Sequence, residues 1–340
     1  MLTPSVVGEL ATERFNPADL SLSQAQALVR HGLAAEVASQ PGTLRPEPNT
    51  WHVIEQAARY AVMQSMVVAS TAVRATSVLG EGGVRALCVK GPVLALQTTG
   101  SWRGRGSADV DLLIDPRDAA RAHAVLTEAG WTRSDGKTHP PGRAFMWREC
   151  EVGYSGTGVP IDLHWRMEAN PKILDLDFDV MWERSVDAQI AGDCLRMPGV
   201  SDSLLITAVH GARSGWYLWR WALDAYRQFR DLTEEQAWEV RELAMRSGSA
   251  PSLALAGGVV LECGLAPIAS PVAPSAQMAR LGAALLAGTE EGRAPVRSWQ
   301  AAITRRKEAL EMSESVGVSL SGATRAAVRA VRNRKLYASI

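Results

Sequence analysis

Residues 108–114 read Ala108-Asp109-Val110-Asp111-Leu112-Leu113-Ile114, a pair of carboxylates set into an apolar run. The alternation predicts a strand, and side chains two apart on a strand share a face. Asp109 and Asp111 therefore project together, while Val110 and Leu112 point the other way. Anions held that close are stable only beside a cation or in good contact with water. Hard divalent cations such as Mg²⁺ favour carboxylate oxygens. A solvated edge strand carries the same pair with no ligand, so the motif alone leaves both readings open.

Outward from this strand the chain keeps changing period. Asp115-Pro116 makes a turn, and residues 116–130 form an amphipathic helix ending at Gly130. Upstream, residues 85–89 (RALCV) form a short strand, Lys90-Gly91-Pro92 a turn, and residues 93–97 the start of a helix. Downstream, strands are expected at 131–135, 143–152 and 159–165 (VPIDLHW). Helices lie on both sides of this stretch. Residues 4–40 read as helical, with Ser21 opening an alanine- and leucine-rich run for which no full capping box is expected. A breaker-rich linker with Pro41, Gly42, Pro46 and Pro48 follows. A long helix is expected from Trp51 to Leu79, with Asn49 or Thr50 as its cap, ended by Gly80, Gly82 and Gly83. Its apolar positions are Val53, Ile54, Ala57, Ala61, Val62, Met66 and Val73. From Ser201 onward the pattern is nearly all helical, apart from a proline-rich loop at 264–275. The expected fold class is α+β: a small mixed-sheet core with N-terminal helices and a C-terminal helical domain. The expected domains are 1–80, 81–200 and 201–340.

Composition narrows the class of function. Of 340 residues, 46% are hydrophobic and 21% charged, which suits a chain with a real core. Lys plus Arg and Asp plus Glu are each 36, so the net charge is zero and a long nucleic-acid partner is disfavoured. The cysteines Cys88, Cys150, Cys194 and Cys263 are scattered, with no CxxC, which fits free thiols in a reducing cytoplasm. The N-terminus lacks the pattern of a signal peptide, and the most apolar run, 253–261, is too short for a membrane span, so a cytoplasmic location and no membrane partner are expected.

Asp162 adds a third carboxylate, in a strand whose neighbours Ile161, Leu163 and Trp165 are apolar. On an adjacent strand it would complete a two-metal centre of the kind that stabilises attacking and leaving oxygens in phosphate displacement. The alternative is a partly exposed polar face carrying Asp162 and His164, with His164 supporting the fold or a neighbour. Lys90-Gly91 opens a helix after a strand, where backbone amides and a lysine suit a phosphate, although no Walker sequence is present. Arg103 and Arg105 could reach a triphosphate or lie in a surface loop with Gly104 and Gly106. Trp216, Trp219 and Trp221 read as core rather than as a stacking platform, and Arg325 to Lys335 as the solvated face of a last, basic helix.

Lys90-Gly91, then Arg105-x-x-x-Asp109-x-Asp111-Leu112-Leu113-Ile114, then Ala129-Gly130-Trp131, then Ile161-Asp162-Leu163-His164-Trp165, together resemble the uncharacterised nucleotidyltransferase family of the DNA polymerase beta superfamily. His210-Gly211-Ala212-Arg213, Trp216, Arg220-Trp221 and Asp224-x-x-Arg227 extend the resemblance, which covers roughly residues 50–235. It departs from the wider superfamily in having Lys90-Gly91-Pro92 where Gly-Ser or Gly-Gly is usual, and in a longer spacing to Asp109. The resemblance implies an enzyme in which Asp109, Asp111 and Asp162 are catalytic and hold two Mg²⁺ ions, with Mn²⁺ as an alternative. It implies that Lys90, Gly91 and Arg105 face the triphosphate of an NTP, with ATP the expected nucleotide. His164, His210, Arg213 and Asp224 are candidates for nucleotide or acceptor contacts, or else members of a polar network between helices. The expected reaction moves an NMP to a hydroxyl or phosphate on a peptide or small molecule and releases pyrophosphate. Phosphoryl transfer on the same scaffold, and a binding module without catalysis, are the alternatives.

Overall fold

The computed structural model describes residues 3–40 and 44–264, with Arg280, Gly282 and Leu285 beyond them. The proline-rich loop and the basic last helix expected from the sequence lie outside the described residues. The first elements are helices α1 (Val6–Ala11), α2 (Leu22–Arg30), α3 (Ala34–Ser39) and α4 (Pro48–Glu81). Then come strand β1 (Ala86–Cys88), helix α5 (Pro92–Thr99), strand β2 (Val110–Ile114), helix α6 (Ala119–Glu128) and strand β3 (Thr132–Arg133). Helix α7 (Arg143–Arg148), strands β4 (Glu151–Ser155) and β5 (Ile161–His164), helix α8 (Phe178–Arg184) and the hairpin β6 (Val186–Ile190) and β7 (Asp193–Met197) follow. Helices α9 (Val200–Ser214), α10 (Trp219–Arg230), α11 (Glu234–Ser247) and α12 (Ala250–Glu262) complete the described chain.

The main sheet has the order β1-β2-β5-β4-β3. It is mixed: β2 and β5 run parallel, and every other pair is antiparallel. One face is apolar over its central strands, with the buried Arg133 on β3 at its edge. Val110, Leu112, Ile114, Ile161 and Leu163 pack there with Val68, Ala72, Ala75 and Leu79 of α4 and with Leu126 of α6. A second apolar cluster joins elements from opposite ends of the sequence, α1–α3 with α9–α12. Trp216 and Trp219 are completely buried in it, Trp221 nearly so, and all are core, as expected. Truncating Trp219 to alanine costs about 3–5 kcal/mol at a site of this kind.

Several elements differ from the sequence reading, each for a local reason. Residues 4–40 are three helices rather than one, because Pro17 interrupts the first stretch and Gly32 adopts φ +74° in the second. Ser21 does form a full capping box, with Gln24 as its partner: Gln24 N donates to Ser21 Oγ and Ser21 N donates to Gln24 Oε1. Residues 143–148, expected as strand, are helix α7, and β4 starts only at Glu151. Phe145 of that helix lies 5.9 Å from the Trp165 ring, and this tertiary contact overrides the β-like composition. In α4 the inward face uses smaller residues than expected. Ala58, Ala69, Ala72 and Ala75 are buried whereas Met66 is 53% exposed. Helix α8 and the β6–β7 hairpin were not anticipated.

Among the described residues α4 is the one helix long and apolar enough to cross a membrane, judged by length and composition alone. Here its inward face is covered by α2 and α3 toward its start and by the sheet toward its end, and Arg59, Gln64 and Arg74 lie on its other faces.

Candidate active site

The second face of the sheet carries the polar residues. In the parallel β2–β5 pair Asp111 is in register with Asp162, and Leu113 with His164. On the other side of β5, Glu151 is in register with His164 and Gly153 with Asp162. Residues in register share a face, so Asp111, Asp162, His164 and Glu151 lie together. Asp109 precedes them by one pleat. Gly153 keeps the flank of Asp162 open, since a Cβ there would stand 3.4 Å from Asp162 Oδ1 and 3.1 Å from Ser134 Oγ.

The carboxylates are not equivalent. Asp111 is 7% exposed, and its Oδ1 accepts from Lys90 Nζ at 2.9 Å and from His164 Nε2 at 2.9 Å. Burial alone would raise its pKa, but Lys90 and His164 outweigh that and hold the carboxyl well below the usual range. Burial likewise opposes the charged form of His164, yet the bond to Asp111 leads the interactions that push the imidazole up to about 9. Asp162 moves the opposite way. Burial first, then the charges of Glu151 and Asp111, raise it to about 6. Asp109 is also raised, by burial and by Asp111, while Ser107 Oγ at 3.2 Å from Oδ1 works against the shift. The face therefore holds more negative charge than its own cations neutralise.

The Lys90-Gly91 turn reaches this face because the ladder continues past β1, with Val89 N donating to Asp111 O at 3.1 Å. Gly91 adopts φ +58° and ψ −124°, a conformation open to glycine, and caps α5 with Pro92 in its first turn. Arg105 is mostly buried and bonded to Asp224 of α10, with Nε 2.9 Å from Oδ2. This pair ties the loop before β2 to the helical layer. Beside it, Arg220 donates from Nη1 to Gly106 O at 2.5 Å, and burial together with Arg105 lowers its pKa to about 10.

His210 and Arg213 of α9 line a narrow cavity with Lys90, His164 and Glu168. Burial and the charge of Lys90 push His210 down to about 3, so it is neutral at physiological pH. Its ring meets Trp221 edge to face at 4.8 Å. Arg213 Nη1 lies 3.8 Å from Glu168 Oε2. The sequence candidates thus fall into two groups. Asp109, Asp111, Asp162, His164 and Lys90 gather on the sheet face with His210 and Arg213 above them, while Arg105 engages Asp224.

Sequence reasoning missed Glu151, Cys150, Ser107, Glu168 and Arg220 as neighbours of this face. The misplaced strand at 143–152 hid Glu151, whose cross-strand position becomes visible only once β4 is set in register. Arg220 sits inside a motif block that had already been singled out, and nothing in the sequence pointed it at Gly106.

The mixed sheet thus gathers carboxylates beneath a layer of helices, with the Lys-Gly turn at its edge. Over residues 20–262 the chain matches the family described as uncharacterised nucleotidyltransferase, and the protein belongs to that family. It is an enzyme of nucleotidyl transfer, acting on a nucleotide and an acceptor. Nucleotidyltransferases generally use divalent metals. No curated protein matches the chain in sequence. Among solved structures, the antibiotic-resistance factor ANT(2'')-Ia is similar at 12% identity and TM-score 0.39, covering 55% of this chain and 93% of its own. An antigenic nucleotidyltransferase-like protein from Paracoccidioides brasiliensis is similar at 14% identity and TM-score 0.35, covering 56% of this chain and 91% of its own.

Proposed function

We propose that the protein moves an NMP from an NTP, with ATP the expected donor, to a hydroxyl or phosphate on a peptide or small molecule. Mg²⁺ would be held by Asp109, Asp111 and Asp162. The observation that carries this reading is the β2–β5 register, which sets Asp111 beside Asp162 on a face where Asp162 is raised to about 6 by burial and by neighbouring acids. Three carboxylates that repel one another form a donor set for a hard cation. Bound there, the metal would lower the acceptor hydroxyl pKa and offset charge on the leaving pyrophosphate.

The chain's own groups would do the rest. Asp162, on the same face as the metal, would accept the proton of the attacking hydroxyl. The acceptor oxygen bonds to the α-phosphorus as the α–β bridging P–O bond breaks, and pyrophosphate carries the electron pair away. Lys90 would turn from Asp111 to the triphosphate, and His164 would keep Asp111 oriented. Neutral His210 and cationic Arg213 would contact nucleotide or acceptor from the helical side. Arg105 can reach the triphosphate only by leaving Asp224, so its part is coupled to the seating of α10. The organisation proposed with this mechanism keeps three domains: an N-terminal helical region in 1–80, the core in 81–200 and a C-terminal helical domain in 201–340, and in the described residues the two helical parts share one apolar cluster. A reducing, cytoplasmic setting belongs to the proposal and rests on the four unpaired cysteines.

The test uses NTPs labelled separately at the α- or γ-phosphate, Mg²⁺, fractionated host extract as acceptor, and Asp109→Ala as the blank. Label moving from the α position, and absent from the blank, supports the proposal. Transfer from the γ position alone would make the protein a kinase.

A further inference from the structure

Among the described residues, the one group of His, Cys, Asp or Glu whose ligand atoms all lie within 4.8 Å of one another is Cys150, Glu151 and His164. It stands at the end of β4, beside the aspartate face but using none of the three aspartates. The donors are a thiol, a carboxylate and an imidazole, a mixture unlike the all-oxygen set that suits Mg²⁺.

His164 supplies the second observation. It is 3% exposed, and its Nε2 donates to Asp111 Oδ1 at 2.9 Å. With its Nε2 proton held by Asp111, the ring offers a lone pair on Nδ1 once an incoming ion displaces the Nδ1 proton, which the metal-free imidazole keeps up to about pH 9. Nδ1 is buried, makes no aligned hydrogen bond, and faces Glu151 Oε2 at 3.1 Å. A histidine that gives one ring N–H to a carboxylate and points the other nitrogen at a thiol and a carboxylate has the arrangement of a metal ligand oriented from behind.

We propose that Cys150 Sγ, Glu151 and His164 Nδ1 bind a borderline-soft divalent ion, Zn²⁺, as a site separate from the Mg²⁺ carboxylates. Tetrahedral Zn²⁺ takes thiolate at about 2.3 Å and nitrogen or oxygen at about 2.0–2.2 Å, which a modest inward turn of Glu151 and Cys150 allows. Binding releases the Cys150 thiol proton and, below about pH 9, the His164 Nδ1 proton to solvent. The Arg213 guanidinium is near enough to interact with both Cys150 and Glu151. Glu151 is part exposed, which leaves a path for the ion and a coordination position for water. The ion would staple the end of β4 to β5 and fix the tautomer in which His164 holds Asp111. The rival occupant is a proton, making His164 an imidazolium between Asp111 and Glu151.

The experiment uses the reduced full-length protein, stripped with a chelator and titrated with Co²⁺ under excess Mg²⁺. The expected result is one equivalent of Co²⁺ bound, with a thiolate-to-cobalt charge-transfer band that Zn²⁺ abolishes. Cys150→Ser should lose the band while Cys194→Ser, at the exposed cysteine, keeps it. Glu151→Gln, at a part-exposed position where folding is secure, should weaken Zn²⁺ binding about 10–100-fold. Asp109→Ala should leave the band in place, which separates this site from the Mg²⁺ reading. Absence of the band in folded wild-type protein overturns the proposal, as does a band that persists in Cys150→Ser or a Zn²⁺ affinity unchanged in Glu151→Gln.

Discussion

The helical layer and the sheet face handle buried charge in opposite ways. In the helical layer three carboxylates away from solvent each meet an arginine: Asp202 with Arg184 at 2.7 Å, Asp224 with Arg105 at 2.9 Å, and Glu36 with Arg227 at 2.7 Å. On the sheet face Asp109, Asp111, Asp162 and Glu151 have close contacts only with Lys90 and His164, both at or near Asp111, while Arg220 and Arg213 act on Asp109 and Glu151 through charge alone and have other acids to serve. The first region is closed, since its charges are matched within the fold. The second carries a surplus that folding alone does not explain, because crowding like charges opposes stability. Strain of that kind gathers where a protein binds something. The pairing of Asp224 with Arg105 joins the two regions, so the closed one also fixes the loop that leads into the open one.

The comparison breaks most severely if the surplus is irrelevant to activity. Asp111→Asn should lower nucleotidyl transfer about a thousandfold or more, roughly 4 kcal/mol or more of transition-state stabilisation, measured by label moving from the α-phosphate. Turnover within tenfold of wild type would show that the sheet face is not the site. The closed region predicts a loss of stability instead. Asp224→Asn leaves Arg105 and Arg220 without their carboxylate and should cost about 3–5 kcal/mol in denaturant unfolding. Arg105→Met combined with Asp224→Leu should recover much of that, because an apolar pair replaces a matched ion pair at little cost. A double variant no better than the single one would mean that the arginine, rather than the pairing, holds the loop.

Much of the open region was legible in the sequence, and less of the closed one. A period of two in 108–114 gives both the strand and the common face of Asp109 and Asp111, because the strand period is a property of the backbone. Asp162 could be named from the apolar pattern around it. That it stands beside Asp111 is a matter of strand order, which no local pattern encodes, and the family resemblance supplied what periodicity could not. Pairs such as Arg105 with Asp224 span more than a hundred residues, and a sequence does not say which arginine meets which acid. Helix α7 was misread because its aromatic residues favour strand in isolation and are recruited to a helix by Trp165. The cluster of Cys150, Glu151 and His164 was hidden by the same error.

The surplus should also be visible as a stability that falls with pH. Asp162 titrates near 6 in the fold against an ordinary value of 3.8. The folded chain therefore holds that proton more tightly than the unfolded chain does. Stability from this group is present below about 3.8 and is lost as pH rises through about 6. Asp162→Asn should make the metal-free protein more stable at pH 8 by roughly 1–3 kcal/mol, a range that allows for screening of a part-exposed carboxylate. No gain is expected near pH 4. Mg²⁺ should stabilise wild type at pH 8 but do little for the variant. Thermal melts at the two pH values, with and without Mg²⁺, decide it. Equal melting temperatures at pH 8 without metal would mean that the acids are already neutralised in the fold.

The finest test separates a group that tunes the face from one that touches substrate. Ser107 Oγ lies 3.2 Å from both the Asp109 carboxylate and the Asp109 backbone oxygen, so its hydroxyl proton is divided between them. A long, shared hydrogen bond falls at the weak end of those made to charged groups. Ser107→Ala removes a contact that works against the rise of Asp109, so burial and the charge of Asp111 should push that carboxyl further up. The acidic limb of the rate profile should move to higher pH, since a protonated Asp109 is a poor metal ligand. On the plateau above that limb the rate should stay within about threefold of wild type, the loss that one weak hydrogen bond allows. A loss on that plateau approaching that of Asp109→Ala would place Ser107 against the substrate, and the boundary of the open region would move to include the loop that Arg105 and Asp224 hold.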